Sequence, residues 1–463
     1  MKYRLLMILL LPISALAQTA NVNRDPQIAQ MITEISADSL RAHITGLVSF
    51  GTRQTLSNLP DKQKTSATRG ITAARNWILS RFQQYANQSS GRLTATIDTW
   101  TLQPDGKRVD GVADMGNVMA TLKGTDPADD RVFIVQGHFD SRNSNVQDRE
   151  GDAPGANDDG SGTAAVMELC RVMSKRSFPA TIIFVALCGE EQGLLGAEHL
   201  SERAVQEKWN LEAVLNNDIM GSNNSSETHI IDNTRLRVFS EGLPAYQTAD
   251  RATGIRQYGN ENDGKARTLA RYLKEIGERY VENLEVVMVY RNDRYLRGGD
   301  HTPYVQRGFA AVRMTEMNEN YEHQHQNVRT EGTGPTAVEY GDLAKFMDLE
   351  YLRKNTGINL ATLANLAKAP APPQNVTVDV RNLTNSTALF WQAPKVAGVA
   401  ANKPKGYYVL IRETHWPFWQ KKFFTTKLGM TLPYSKDNYY FAVQAVGETD
   451  NESLPVLPVP NLR

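Results

Sequence analysis

Residues 137–141 read Gly-His-Phe-Asp-Ser directly after the apolar run Val132-Phe133-Ile134-Val135, and residues 155–162 read Gly-Ala-Asn-Asp-Asp-Gly-Ser-Gly. Further along stand Cys188-Gly189-Glu190-Glu191, Asn217-Asp218-Ile219-Met220 and Gln324-His325-Gln326, each carrying an oxygen or imidazole donor. Taken singly, such residues are more often packed histidines, solvated carboxylates or helix caps. In this order they supply what a pair of divalent cations needs, one carboxylate that bridges and imidazole and carboxylate donors on either side. His138 would donate one imidazole right after a strand, and Asp140 is placed to orient its ring. Asp158 or Asp159 would be the bridge, with Gly160-Ser161-Gly162 permitting a tight turn into the next helix. Glu190 and Glu191 end an apolar segment, where neighbours point in different directions, so one can bind metal while the other faces water. A carboxylate so placed can take a proton from a water acidified to a pKa of about 7 and return it to an amine leaving group. Asp218 ends the following strand as a further donor.

The elements that must hold these groups follow from apolar spacing. Residues 26–50 and 66–85 carry helical spacing, with Ile71, Trp77, Ile78 and Phe82 on one side. Strands are predicted at 132–135, 181–187 and 213–216, alternating with helices after Gly162 and around 195–208, and further strands at 286–290 and 310–313. Such alternation of helices with buried strands argues for an α/β domain with a central mixed, mainly parallel sheet flanked by helices. The donors lie past the carboxyl ends of strands, where open α/β sheets place their ligands. The long stretch 223–299, with a helix near 267–281, is expected to form a rim or lid. Residues 336–366 read as a closing helix, broken near Gly357.

At 463 residues the chain accommodates two or three domains. Lys plus Arg and Asp plus Glu balance at 51 each, so no global field points to nucleic acid. The start, Met1-Lys2-Tyr3-Arg4 followed by an apolar run to Leu11 and by Ala15-Leu16-Ala17, has the form of a signal peptide over residues 1–17. The expected product is exported, periplasmic or extracellular, with no membrane span. Cys170 and Cys188 could pair in such a compartment, although a helix and a strand end more often hold buried thiols. The part that carries these donors is expected over 18–368 and a stiff Pro-rich linker over 369–374, from Ala369-Pro370-Ala371-Pro372-Pro373. Residues 375–463 alternate with period two and resemble an all-β fibronectin type III sandwich, with Trp391 as its core tryptophan and the strand from Tyr439 as its tyrosine-corner strand.

The fragments from about residue 117 to 366 resemble the zinc aminopeptidase family that also holds glutamate carboxypeptidases and glutaminyl cyclases. The resemblance implies a sheet of about eight strands and two zinc ions per chain. By that similarity His138 and Asp218 would hold one zinc, Glu191 and His325 the other, Asp158 would bridge, and Glu190 would be the general base. His325 is preferred over His323 because the Gln-His step fits the family better. Asp300-His301 resembles a segment that lies near the site without ligating, so Asp300 is expected to support the site or the substrate. Arg329 stands where many relatives have an aspartate. Tyr295 could stabilise an oxyanion, as a tyrosine in this region does in some relatives. His43, His199, His229 and His415 are expected at the surface or in packing. The implied activity is hydrolysis of amino-terminal residues from peptide substrates. Carboxypeptidase or dipeptidase action is the nearest rival, with Arg291, Arg294, Arg297 and Arg313 as candidate carboxylate binders, and a catalytically silent binding protein is the rival from another class. The sandwich would bind a surface or another protein.

Overall fold

The computed structural model describes residues 23–57, 68–243, 248–394 and 403–461, and the expected signal peptide lies outside them. Eight strands form the central sheet: β1 (Leu93–Leu102), β2 (Ala113–Leu122), β3 (Arg131–His138), β4 (Thr181–Leu187), β5 (Asn210–Asn217), β6 (Arg235–Phe239), β7 (Glu285–Val289) and β8 (Ala311–Glu316). Their order is β1-β2-β4-β3-β5-β8-β6-β7. The four central strands β4, β3, β5 and β8 run parallel, whereas β1 and β2 pair antiparallel at one side and β6 is antiparallel to β8 at the other. Parallel strands buried on both faces are continuous apolar runs, and side chains alternate across the sheet accordingly. Phe133 and Val135 join the larger core, and Ile134 joins the opposite one.

Helices α1 (Pro26–Thr33), α2 (Ala37–Val48), α3 (Ile71–Ala86), α4 (Gly160–Met173), α7 (Lys265–Tyr280) and α9 (Leu349–Lys368) contribute to the larger core. Helices α5 (Leu195–Gln206) and α8 (Thr302–Gln306) cover the other face, while α6 (Ala249–Tyr258) buries no side chain fully. The expected helical stretch 26–50 is two helices, because Ser36 caps α2 by accepting from the Ser39 N–H. The stretch 223–299 is more than a rim: it supplies β6, β7 and the buried α7.

The closing helix starts later than expected. Asp348 caps α9 by accepting from the Tyr351 N–H, and the preceding residues instead form β10 (Val338–Tyr340), paired with β9 (Arg329–Glu331). Gly357 does not break α9. A Cβ there would lie 2.9 Å from a Val281 methyl, so the glycine permits close packing. No helix among the described residues is long and apolar enough to cross a membrane. Cys170 and Cys188 are buried free thiols.

After α9 the chain builds two further sheets. One orders β15 (Gly429–Leu432), β12 (Thr387–Gln392), β11 (Gln374–Asp379) and β17 (Val459–Asn461), and the other orders β14 (Lys421–Thr425), β13 (Gly406–Glu413) and β16 (Tyr439–Val446). They share a core in which Trp391 meets Tyr407 edge-on at 5.5 Å. Tyr439 packs against Tyr434, and the neighbouring Tyr440 hydroxyl donates to the Gly259 carbonyl at 2.6 Å. The expected linker is held from below, since Arg131 donates to the carbonyls of Ala369 and Pro370.

This C-terminal unit sits on α7 and α9 through buried charge. Glu452, fully buried, accepts from both terminal nitrogens of Arg279 at 3.0 and 2.7 Å and from Asn365 at 3.3 Å. Asp263 takes Arg271 at 3.0 Å and is also paired with Arg412. Burial raises the Glu452 carboxyl, but Lys422 and Arg279 more than offset this and hold it below its usual value.

Candidate metal centre

Three adjacent central strands end at one rim. His138 closes β3, Asp218 follows β5, and Glu190 and Glu191 follow β4. Among the described residues two groups of donors gather there, His138 with Asp158 and Asp218, and Asp158 with Glu191 and His325. Asp158 belongs to both. His138 Nε2 lies 3.3 Å from Asp158 Oδ1 and 3.9 Å from Asp218 Oδ1. Two donors about 2 Å from one tetrahedral zinc stand roughly 3.3 Å apart, so the first group has the spacing of a zinc site. His325 Nε2 is tighter, 2.8 Å from Asp158 Oδ2 and 2.9 Å from Glu191 Oε1.

The electrostatics fit divalent cations. Burial lowers the affinity of His138 for a proton, yet Asp140, Asp158 and Asp218 outweigh it and raise the imidazole well above its usual pKa. Burial likewise opposes protonation of His325, but Glu191 and Asp158 push it up to about 10. A cluster that holds its imidazoles protonated is short of positive charge, which a cation at each donor group supplies. His138 Nε2 is also buried and, among the described residues, has no partner with hydrogen-bond geometry. Burial raises Asp218, but Arg313 and His138 bring it below the usual carboxylate range.

The aspartate pair divides its labour. Asp158 faces the donors, while the carboxylate of Asp159 accepts from the backbone N–H groups of His138 (3.0 Å), Gly162 (2.8 Å) and Ile219 (3.2 Å). Asp159 thereby caps α4 and ties together the ends of β3 and β5. Gly162 is required here, since a Cβ would stand 2.5 Å from the Asn217 carbonyl. The peptide between the two aspartates is cis.

Asp140 does more than face the His138 ring, whose Nδ1 is 3.4 Å away. Its Oδ1 accepts from the N–H groups of Gly189 (2.9 Å) and Glu190 (3.2 Å), and its Oδ2 from Glu191 N–H (3.2 Å) and the Thr55 hydroxyl (2.8 Å). One buried residue thus aligns the histidine, whose Nδ1 meets the Asp140 carbonyl at 3.2 Å, and through its carboxylate the segment carrying both glutamates. Glu190 lines the adjoining cleft, and burial among Glu191, Asp218 and Asp300 raises its carboxyl well above the usual range against the pull of His138.

Asp300 is fully buried near these groups, neither of its carboxylate oxygens has a hydrogen-bond partner among the described residues, and burial pushes it up to about 8. His301 donates from Nε2 to the Asn292 carbonyl at 2.7 Å and joins neither donor group. His323 stacks on Phe346 with ring centres 3.5 Å apart, outside both groups. Tyr295 is 75% exposed, lies under Arg291 and is absent from the cleft lining. Arg329 stacks on Tyr340, pairs with Glu331 and donates to Gln326 Oε1 at 3.1 Å. Arg313, a candidate carboxylate binder by sequence, is fully buried and ion-paired with Asp218 (3.1 Å) and Asp293 (2.6 Å). His43 is buried beside Tyr85 and Glu168, and His199 stacks on Trp100.

Some contributors escape a reading by spacing. Asp342, from the loop before α9, accepts from the N–H groups of Asn157 (2.8 Å) and Asp158 (2.7 Å), and Gln324 donates to Asp158 Oδ2 at 3.1 Å. No local pattern marks Asp342, whereas Gln324 could have been suspected as the neighbour of His325.

A mixed α/β sheet whose parallel strands end in two donor groups sharing an aspartate is a frame able to hold divalent cations. Residues 117–342 match peptidase family M28. A probable zinc metalloprotease of Leptosphaeria maculans is 43% identical over 437 residues, covering 94% of this chain and 97% of its own length. Another, from Pyrenophora teres f. teres, is 41% identical over 439 residues, covering 94% and 87%. The chain belongs to peptidase family M28, the zinc metallopeptidases. Among solved structures, LapA aminopeptidase of Legionella pneumophila shares the fold at a TM-score of 0.52 and 19% identity, covering 75% of this chain and 76% of that one.

Proposed function

We propose that the protein is an exported exopeptidase that binds two zinc ions and removes amino-terminal residues from peptides. The observation that carries this reading is the shared Asp158 between two donor groups, with Glu190 opening into the cleft beside them. His138 and Asp218 would hold one ion, Glu191 and His325 the other, and Asp158 both. When bound, zinc supplies polarisation of the scissile carbonyl and acidification of the attacking water. Glu190 takes a proton from that water as its oxygen joins the carbonyl carbon, and returns it to the nitrogen as the C–N bond breaks. Asp140 and Asp159 hold the donors and the base in register, through hydrogen bonds to the backbone that carries them. The fold likeness to LapA aminopeptidase supports action at the amino end, and the basic-then-apolar start with Ala15-Leu16-Ala17 supports export.

Replacing Glu190 with Gln should lower kcat by about a hundredfold or more while metal content stays at two ions per chain. Full turnover by the variant would discard the mechanism. Peptides blocked at the amino end should resist hydrolysis, and cleavage from the carboxyl end would overturn the polarity.

A further inference from the structure

The cleft beside the donors, about 370 Å³, is lined by the acidic groups already described and by Arg108, Arg142, Arg294 and Arg297. Among the described residues its large apolar lining residues are Leu194 and Leu296, and Leu296 is 92% exposed. A wall of this kind offers little surface on which to bury an apolar substrate side chain, and pockets usually rely on such surface. The arginines differ in how their charge is met. Arg294 is committed to Asp293 at 3.2 Å and Glu319 at 3.1 Å. Arg108 donates to a neutral group, the Glu191 carbonyl, at 2.7 Å, and Arg142 to the carbonyls of Asn143 and Ser144 at 3.0 and 3.1 Å. Arg297 reaches Glu319 only at 3.9 Å, and that carboxylate already serves Arg237 at 2.8 Å as well as Arg294. Carbonyl partners fix a guanidinium without cancelling its charge, and they leave other N–H groups of the fork free for a carboxylate. Three of the four acidic residues of the cleft do not cancel it either, because Asp158, Glu191 and Asp218 belong to the donor groups and face the cations proposed there, and the fourth, Glu190, is the proposed proton carrier.

We propose that Arg108, Arg142 and Arg297 make this cleft selective for short peptides that present a carboxylate close to the scissile bond. The carboxylate is either an acidic side chain on one of the two residues flanking that bond or the free carboxyl end of a di- or tripeptide. The proposal rests on the exopeptidase reading. Arg313 and Arg291 have no part in it, the first being spent in the interior and the second lying over Tyr295 outside the lining.

The test is a set of paired peptides offered to the zinc-loaded full chain. One pair carries Glu or Gln at the first position, a second pair carries Glu or Gln at the second, and a third is a neutral dipeptide with a free or amidated carboxyl end. At least one acidic member should exceed its neutral isostere in kcat/KM by about tenfold or more, as charge-assisted pairing gives, and the pair that responds identifies the source of the carboxylate. The advantage should move toward parity in Arg108→Gln combined with Arg297→Gln, and should shrink as salt is raised. Arg353→Gln, at a half-buried position of α9 outside the cleft, should keep it. Parity in all three pairs with active enzyme overturns the selectivity and leaves the exopeptidase reading standing. If no peptide is turned over, the exopeptidase reading fails, and calorimetric binding of the same pairs still decides the selectivity: equal affinities overturn it, and tighter binding of an acidic member supports it.

Discussion

Asp140→Asn is the change with the widest reach for the smallest alteration in shape. The carboxylate meets four donors, two at each oxygen, and stands beside His138. An amide must direct its NH2 at one of these pairs. The milder choice is the side of Thr55, whose hydroxyl can rotate to accept, but Glu191 N–H then confronts another donor. Leaving one buried N–H unmatched costs about 1–3 kcal/mol, and the charge that favours a metal-bound His138 is lost as well. Changes to groups that orient metal ligands typically cost about 10–100-fold in affinity, roughly the same energy expressed as binding. The expected outcome is weaker zinc binding in competition with a chromophoric chelator, and a lower kcat at saturating zinc because Glu190 shares the same anchor. A variant that binds zinc with parental affinity and turns over at the parental rate would refute this account of Asp140.

Two further expectations concern stability. Glu452→Ala strips the buried partner from Arg279 and should cost about 3–5 kcal/mol, visible in calorimetry as a C-terminal unit that melts ahead of the rest. Because the folded-state pKa of Glu452 is depressed, its contribution is present above the unfolded value and fades as pH falls through the folded one, so parent and variant should converge in acid. Glu212 behaves oppositely: burial, opposed by Arg131, raises it to about 7. Its contribution is full below the unfolded value and is lost as pH rises through about 7. Glu212→Gln should therefore gain up to about 3 kcal/mol relative to the parent above that pH, and equal urea midpoints at pH 5 and pH 8 would count against it.

The central strands and the donors at their ends, His138, Glu191 and Asp218, were legible because these follow apolar runs too continuous for a half-exposed strand, and such runs became β3, β4 and β5. The Gly-rich turn after Asp159 was legible for the same local reason. Less was readable where tertiary pairing decides. The apolar residues between 336 and 346 have spacing that suits a helix, yet they form a ribbon and a loop that bring Asp342 under Asp158. β1 alternates exposed and buried residues and was not singled out as a strand, although it pairs with β2 through ten residues. Arg313 looked free because its sequence neighbourhood does not show Asp293 or Asp218 folding onto it. Likewise Arg108 and Arg142 come from loops whose meeting with the cleft depends on the whole fold.

The clasp between the C-terminal sheets and α7 and α9 has a practical corollary. Cutting the chain near residues 369–374 severs one covalent strand while leaving Arg279, Asp263, Glu452 and Arg412 paired across the cut. Proteolysis there would yield two bands on a denaturing gel from a particle that still elutes as one. Separation of the halves would then require acid or denaturant, not the protease alone.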